Sequence, residues 1–167
     1  MSLRLAVSDD VPYVMGIIRK VLPRMHAAGN YQWDEYYPTE ATFQKDIKND
    51  TLYVFDEAGV IKGCIVADDN HAYAYDDIPW ALARFDCLAL HRLAVDPDFQ
   101  GRGLAQKILN GVIEEGKAKG YYGIHTDTSM ENKPMQQLFE KLGFEFRGKL
   151  NLDENLDNWY AAYEKIF

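Results

Sequence analysis

The stretch from Leu88 to Ala105 limits this chain more than any other. Leu88 to Val95 is an apolar run broken only by His91 and Arg92, the composition of a strand buried on both faces. Pro97 ends it. Gly101 and Gly103 then allow a left-handed turn with no Cβ in front of the backbone, and a helix begins with Leu104, Ile108, Leu109 and Val112 at helical spacing. Strand, glycine turn and helix in that order aim unpaired N–H groups, backed by the helix dipole, at one spot that favours a phosphate. Two other glycine loops are excluded, because there is no Gly-x-Gly-x-x-Gly and no Gly-Lys-Ser/Thr after the turn.

The remaining chain alternates strand and helix signals. Leu3 to Val7 predicts a short strand. Ser8 or Asp9 can cap a helix with Val11, Val14, Ile18, Leu22 and Met25 on one face, Pro12 in its first turn and Pro23 kinking or ending it. Thr39 caps a second helix with Phe43 and Ile47 inward. Thr51 to Phe55 and Val60 to Ala67 read as a hairpin around Asp56-Glu57-Ala58-Gly59. Phe85 to Val95 is the central strand, Leu104 to Lys119 the long helix, and Tyr122 to Asp127 a further strand. Asn132 to Leu142 is a helix stopped by Gly143. Phe144 to Leu150 and Trp159 to Ile166 close the chain, joined by an acidic connection over Asp153 to Asp157. The expected architecture is one α/β (α+β) domain over residues 1–167, with a single mixed, mostly antiparallel twisted sheet flanked by helices.

Composition narrows the function classes. With 167 residues, 47% hydrophobic and 26% charged, the chain can bury a sizeable core. No run reaches the ~18 apolar residues of a membrane span, and Met1 to Asp10 lacks a signal-peptide layout, so a cytoplasmic protein without membrane contact is expected. A net charge of −8 disfavours nucleic acid and mildly favours a cationic partner such as an amine. Cys64 and Cys87 sit in apolar runs with no nearby Cys or His at ligand spacing, which predicts core thiols and no metal.

Gln100, Gly103 and Ala105 fall in the pattern Gln-x-x-Gly-x-Ala, which resembles the pyrophosphate-binding motif of the GNAT superfamily of acetyl-CoA-dependent N-acetyltransferases. The order from His91 to Phe144 is also similar: strand, Gln-Gly-Arg-Gly-Leu-Ala turn, long helix, strand, Asn132, short helix and Leu142-Gly143-Phe144. The resemblance implies the GNAT fold, in which the central strand bulges after His91 and parts from the strand ending at Asp127. It also implies acetyl-CoA as co-substrate, with its pantetheine arm on backbone groups of Leu93 and Val95. Gln100, Gly101, Arg102, Gly103, Leu104, Ala105 and Gln106 would surround the pyrophosphate. Asn132 would bind the pantetheine arm or cap its helix, roles that are compatible, and Met135 and Phe139 would lie along the coenzyme.

The chemistry so implied is direct acetyl transfer to a primary amine in a ternary complex. An amine of pKa about 10 must first lose a proton, usually to a carboxylate through water. Asp127, five residues before Asn132, stands where some ribosomal-protein acetyltransferases of the superfamily carry a glutamate base; it reads as base, amine anchor, or a strand-end carboxylate capping the turn. His91 is the other candidate for proton transfer, against the alternative of a packed core histidine. A backbone N–H around Leu93 or Ala94 could hold the oxyanion. The chain departs from the family at Phe139, where a tyrosine commonly protonates the leaving thiolate. Tyr160 and Tyr163 are loose substitutes, and solvent-assisted departure is the other route.

Two loops mix rings with carboxylates as a cationic amine pocket would, while each ring taken singly reads first as one that packs over the core. Trp33, Asp34 and Tyr37 come from one, Tyr75 and Trp80 from the other. The expected acceptor is the amine of a small molecule or, second, of a peptide, and a homodimer is open to the chain as an assembly. The competing class is a non-catalytic CoA- or acyl-CoA-binding module of the same fold.

Overall fold

A computed structural model describes residues 2–152 and 157–167, so the acidic connection expected over Asp153 to Asp157 falls, except for Asp157, outside the described residues. Two compact units form: the chain up to Ala67 with His91–Val112, and Asp68–Leu90 with Ile113–Phe167. The strand β4 (Cys87–Val95) and the helix α3 (Leu104–Ala118) contribute residues to both.

In the first unit, β1 (Ser2–Leu5) pairs antiparallel with β2 (Leu52–Glu57), which pairs antiparallel with β3 (Val60–Asp68). The hairpin turns through Ala58 and Gly59, at φ 55° and 82°, as its sequence predicts. The helix α1 (Val11–Ala27) buries Val11, Val14, Ile17 and Ile18 against Phe43, Leu52, Val54 and Val66. Pro23 does not end it, and the helix runs on to Ala27. Pro23 and Arg19 are both exposed, so water can serve the carbonyl left without a donor. In α2 (Glu40–Lys48), Thr39 accepts from the Thr42 amide and Phe43 is fully buried. Gly63 is required by close approach, because a Cβ there would sit 2.9 Å from the Ala94 carbonyl oxygen.

In the second unit, β4 pairs parallel with β5 (Gly123–Ser129) in the register Cys87↔Gly123, Leu88↔Ile124 and Ala89↔His125. Among the described residues, the paired register of the two strands covers these three positions. β5 pairs along its whole length with β7 (Tyr160–Ile166), antiparallel, and β7 with β6 (Glu145–Leu150). The helix α4 (Lys133–Lys141) follows the Asn132 cap, and Gly143 at φ 83° stops it. A short 3-10 turn at Tyr73–Asp77 packs Tyr75 with Ile78, Leu150, Tyr160 and Ala162. Among the described residues the strand order is β1-β2-β3-β4-β5-β7-β6, a mixed sheet of seven strands with four α-helices. Among the described residues, no helix is long and apolar enough to cross a membrane.

Candidate active site

The apolar run of β4 is buried over Cys87 to Leu90 and again at Ala94, whereas His91, Arg92 and Leu93 are half buried. The cause is Arg92, whose φ of 51° breaks strand alternation at the residue after His91. A non-glycine residue in this conformation needs compensation. Its guanidinium supplies that through Nε to Asp46 Oδ2 at 2.9 Å, Nη2 to Asp46 Oδ1 at 2.7 Å and Nη1 to the Tyr37 hydroxyl at 2.8 Å. Arg92 was not among the sequence candidates. Its partner lies 46 positions away, beyond the reach of any local pattern.

Beyond β4, Asp96 accepts from the Asp98 amide and from Lys20 Nζ, which fixes the turn over Pro97 to Phe99. Gly101 and Gly103 have φ of 80° and 69°, with nothing within 4 Å of where a Cβ would stand. Among the described residues, no backbone carbonyl accepts from the amides of Gly101, Arg102, Gly103, Leu104 or Ala105. Gln100 and Arg102 are exposed; Gln100 Oε1 accepts from Arg24 at 2.8 Å, and Arg102 lies over the Phe99 ring. Leu104 is buried, whereas Ala105 and Gln106 are half buried. Such an open, glycine-lined set of donors at the start of a four-turn helix suits a phosphate.

In the second unit, Asn132 Oδ1 accepts from the Met135 amide at 3.2 Å, the capping role that its position allowed. Met135 is half buried. Phe139 is buried, its ring 5.1 Å from Phe144 and 5.2 Å from Tyr163. Tyr163 donates to Glu140, and both Tyr160 and Tyr163 are buried as residues.

In the two ring-and-carboxylate loops, the rings taken singly follow the packing alternative at two positions. Trp33 is buried in the first unit's core and Tyr75 is only 2% exposed, so neither offers a ring face to a ligand. Asp34 accepts from the Tyr36 amide at 2.7 Å within its own loop, and Tyr37 is held by Arg92. Trp80 stacks on His125 with ring centres 3.9 Å apart and an interplanar angle of 13°. The hydroxyl of Tyr75 donates to Asp127 Oδ2 at 2.5 Å.

The fold also assembles a cluster that the sequence does not announce. Glu164, fully buried, accepts the Ala81 amide and Arg147 Nε on one oxygen and the Leu82 amide and His125 Nε2 on the other. Burial alone would raise its pKa, but these donors outweigh burial and hold it below the usual carboxylate value. His125 is pushed down by burial against the pull of Glu164, so the neutral ring donates from Nε2. Cys87 joins them, the three ligand atoms lying within 4.8 Å, although no spacing in the sequence suggested it. With both Glu164 oxygens doubly engaged and the Cys87 thiol pushed up to about 12 by burial, this set is built as a neutralised ion cluster.

A family model, the acetyltransferase (GNAT) family, matches residues 18–144. The chain belongs to the GNAT family. A GNAT-family acetyltransferase from Streptococcus agalactiae shares 32% identity with it at a TM-score of 0.88, covering 99% of this chain and 95% of the other. The ribosomal protein bS18 alanine N-acetyltransferase of Haemophilus ducreyi is 36% identical over 59 residues, 35% of this GNAT chain and 41% of that protein. The match thus spans under half the length of that curated relative. A Salmonella typhimurium acetyltransferase structure with acetyl-CoA shares the fold, with TM-score 0.75 and 16% identity over 99% of this chain and 93% of the other.

Proposed function

We propose that this GNAT protein transfers the acetyl group of acetyl-CoA to a primary amine, of a small molecule or of a peptide amino terminus, by direct attack in a ternary complex. The observation that carries the reading is the run of amides from Gly101 to Ala105, which among the described residues have no backbone carbonyl acceptor and include two positive-φ glycines. It fits a diphosphate, and the exposed Arg102 adds a positive charge beside it. Acetyl-CoA supplies an activated acetyl thioester when bound. The acetyl-CoA of the Salmonella structure and the alanine acceptor in the Haemophilus relative's name support the choice of donor and acceptor class.

In this reading Asp127 accepts the proton that the alkylammonium must lose before its nitrogen can attack. The conformation of Arg92 turns the adjoining amides of Leu93 and Ala94 out of strand alternation, where one of them serves the oxyanion. His91, half buried beside this break, assists proton traffic. Leu93 and Val95 offer backbone groups to the pantetheine arm, and the amide group of Asn132 adds a contact to it. Phe139 cannot donate a proton, so the thiolate leaves with solvent help, which is tolerable for a thiol of pKa about 8.5.

The test follows thiol release from acetyl-CoA with spermidine, L-lysine and an alanine-initiated peptide. Asp127→Asn is expected to lower the rate with the best of these at least 100-fold while leaving acetyl-CoA affinity unchanged. An undiminished rate ends the assignment of Asp127. Phe139 also favours a second reading, a CoA-binding module without transfer, which binding without turnover across the panel would establish.

A further inference from the structure

The residue that faces Asp127 is held with unusual care. Tyr75 is almost fully enclosed, and its only polar side-chain atom donates to Asp127 Oδ2. Its phenol lies well above the ordinary value, through burial first and the charge of Asp127 second, so it remains a donor at any working pH. His71 packs edge-on at 5.9 Å, and Trp80 covers the ring at 5.3 Å while its indole Nε1 donates to the Tyr75 carbonyl at 2.9 Å. Trp80 in turn lies flat on His125, and Glu164 clamps the Ala81 and Leu82 amides just beyond it. The segment carrying Tyr75 is therefore pinned to β5 and β7.

Packing alone would be served equally by phenylalanine, since the ring contacts do not use the hydroxyl. We propose that Tyr75 is a positioning residue that holds the Asp127 carboxylate in one rotamer for proton transfer from the acceptor amine. This rests on the reading of Asp127 as the proton acceptor. Trp80, His125 and Glu164 act behind Tyr75 as its support, which gives the buried ion cluster a purpose in the acceptor half of the reaction.

A double-mutant cycle tests it, with Tyr75→Phe, Asp127→Asn and both together, read as thiol release at saturating acetyl-CoA with the best amine of the panel and high enzyme concentration. Tyr75→Phe is expected to lower kcat about 10-fold with KM for acetyl-CoA unchanged, and to change nothing further in the Asp127→Asn background. An equal loss in both backgrounds, or no loss in the first, overturns the positioning role while leaving Asp127 intact. If Asp127→Asn keeps the full rate, the underlying reading fails on that variant alone and takes this role with it. Melting of Tyr75→Phe is measured alongside; should it not fold, Asp127→Glu replaces it, keeping the charge but moving it from the hydroxyl. A wild-type rate in Asp127→Glu overturns the proposal, and a loss of 10-fold or more supports it.

Discussion

The guanidinium of Arg92 and the carboxylate of Asp46 form a two-point ion pair, at 2.9 and 2.7 Å, between a strand residue with left-handed backbone and the middle of α2. Their side chains are only 15% and 9% exposed, so each charge depends on the other. Burial would lower the Arg92 pKa, yet Tyr37 and Asp46 raise it, and the pair stays ionised.

Asp46→Ala therefore strands a buried cation and is expected to cost about 3–5 kcal/mol in urea unfolding. Arg92→Gly relieves the backbone but takes the two-point guanidinium partner away from Asp46, so it too destabilises, by a smaller amount. A loss below about 1 kcal/mol in Asp46→Ala would show the pair to be solvated.

Gly101 and Gly103 separate binding from folding. Gly101→Ala meets no neighbour and pays only for the left-handed backbone, about 1–2 kcal/mol. Calorimetric titration with CoA should show at least 10-fold weaker binding while the melting temperature falls by only about 2–8 °C.

The His125 and Glu164 pair sets an acid limit to stability. Both folded-state pKa values are depressed, so the unfolded chain binds more protons as the medium becomes acidic. For His125 the loss begins as pH falls through its unfolded value of 6.5, and for Glu164 as it falls below 4.5. Melting temperature is expected to decline from pH 7 to 5, and His125→Gln should flatten that part of the curve.

Both cysteines should be inert in the native protein. Burial pushes the Cys64 and Cys87 thiols up to about 12, which removes the thiolate that alkylating reagents attack. Iodoacetamide at pH 8 is expected to label neither until the chain is unfolded in guanidinium, as read by mass spectrometry.

Much of the architecture was legible because it is local. The hairpin around Gly59, the Thr39 and Asn132 caps, the Gly143 stop and the glycine turn before α3 each depend on a few adjacent residues with special backbone or side-chain chemistry. Element ends shifted by a few residues, and α1 runs past Pro23, whose place on the exposed face of the helix could not be read from the residue itself.

The chain's order of elements, its glycine loop and its family were thus determined by the sequence, since periodicity, turns and caps act within a few residues of themselves. Which side chains would do the work was decided only in three dimensions. Tyr75 and Asp127 are 52 positions apart, Arg92 and Asp46 are 46, and Glu164 meets Ala81 across 83. Trp33 and Tyr75, both plausible ligand rings in a loop, were drawn into the core because burying an aromatic face is worth more than leaving it in water. Pairings of that separation are selected by the burial and charge balance of the folded chain, which leaves no short pattern to read.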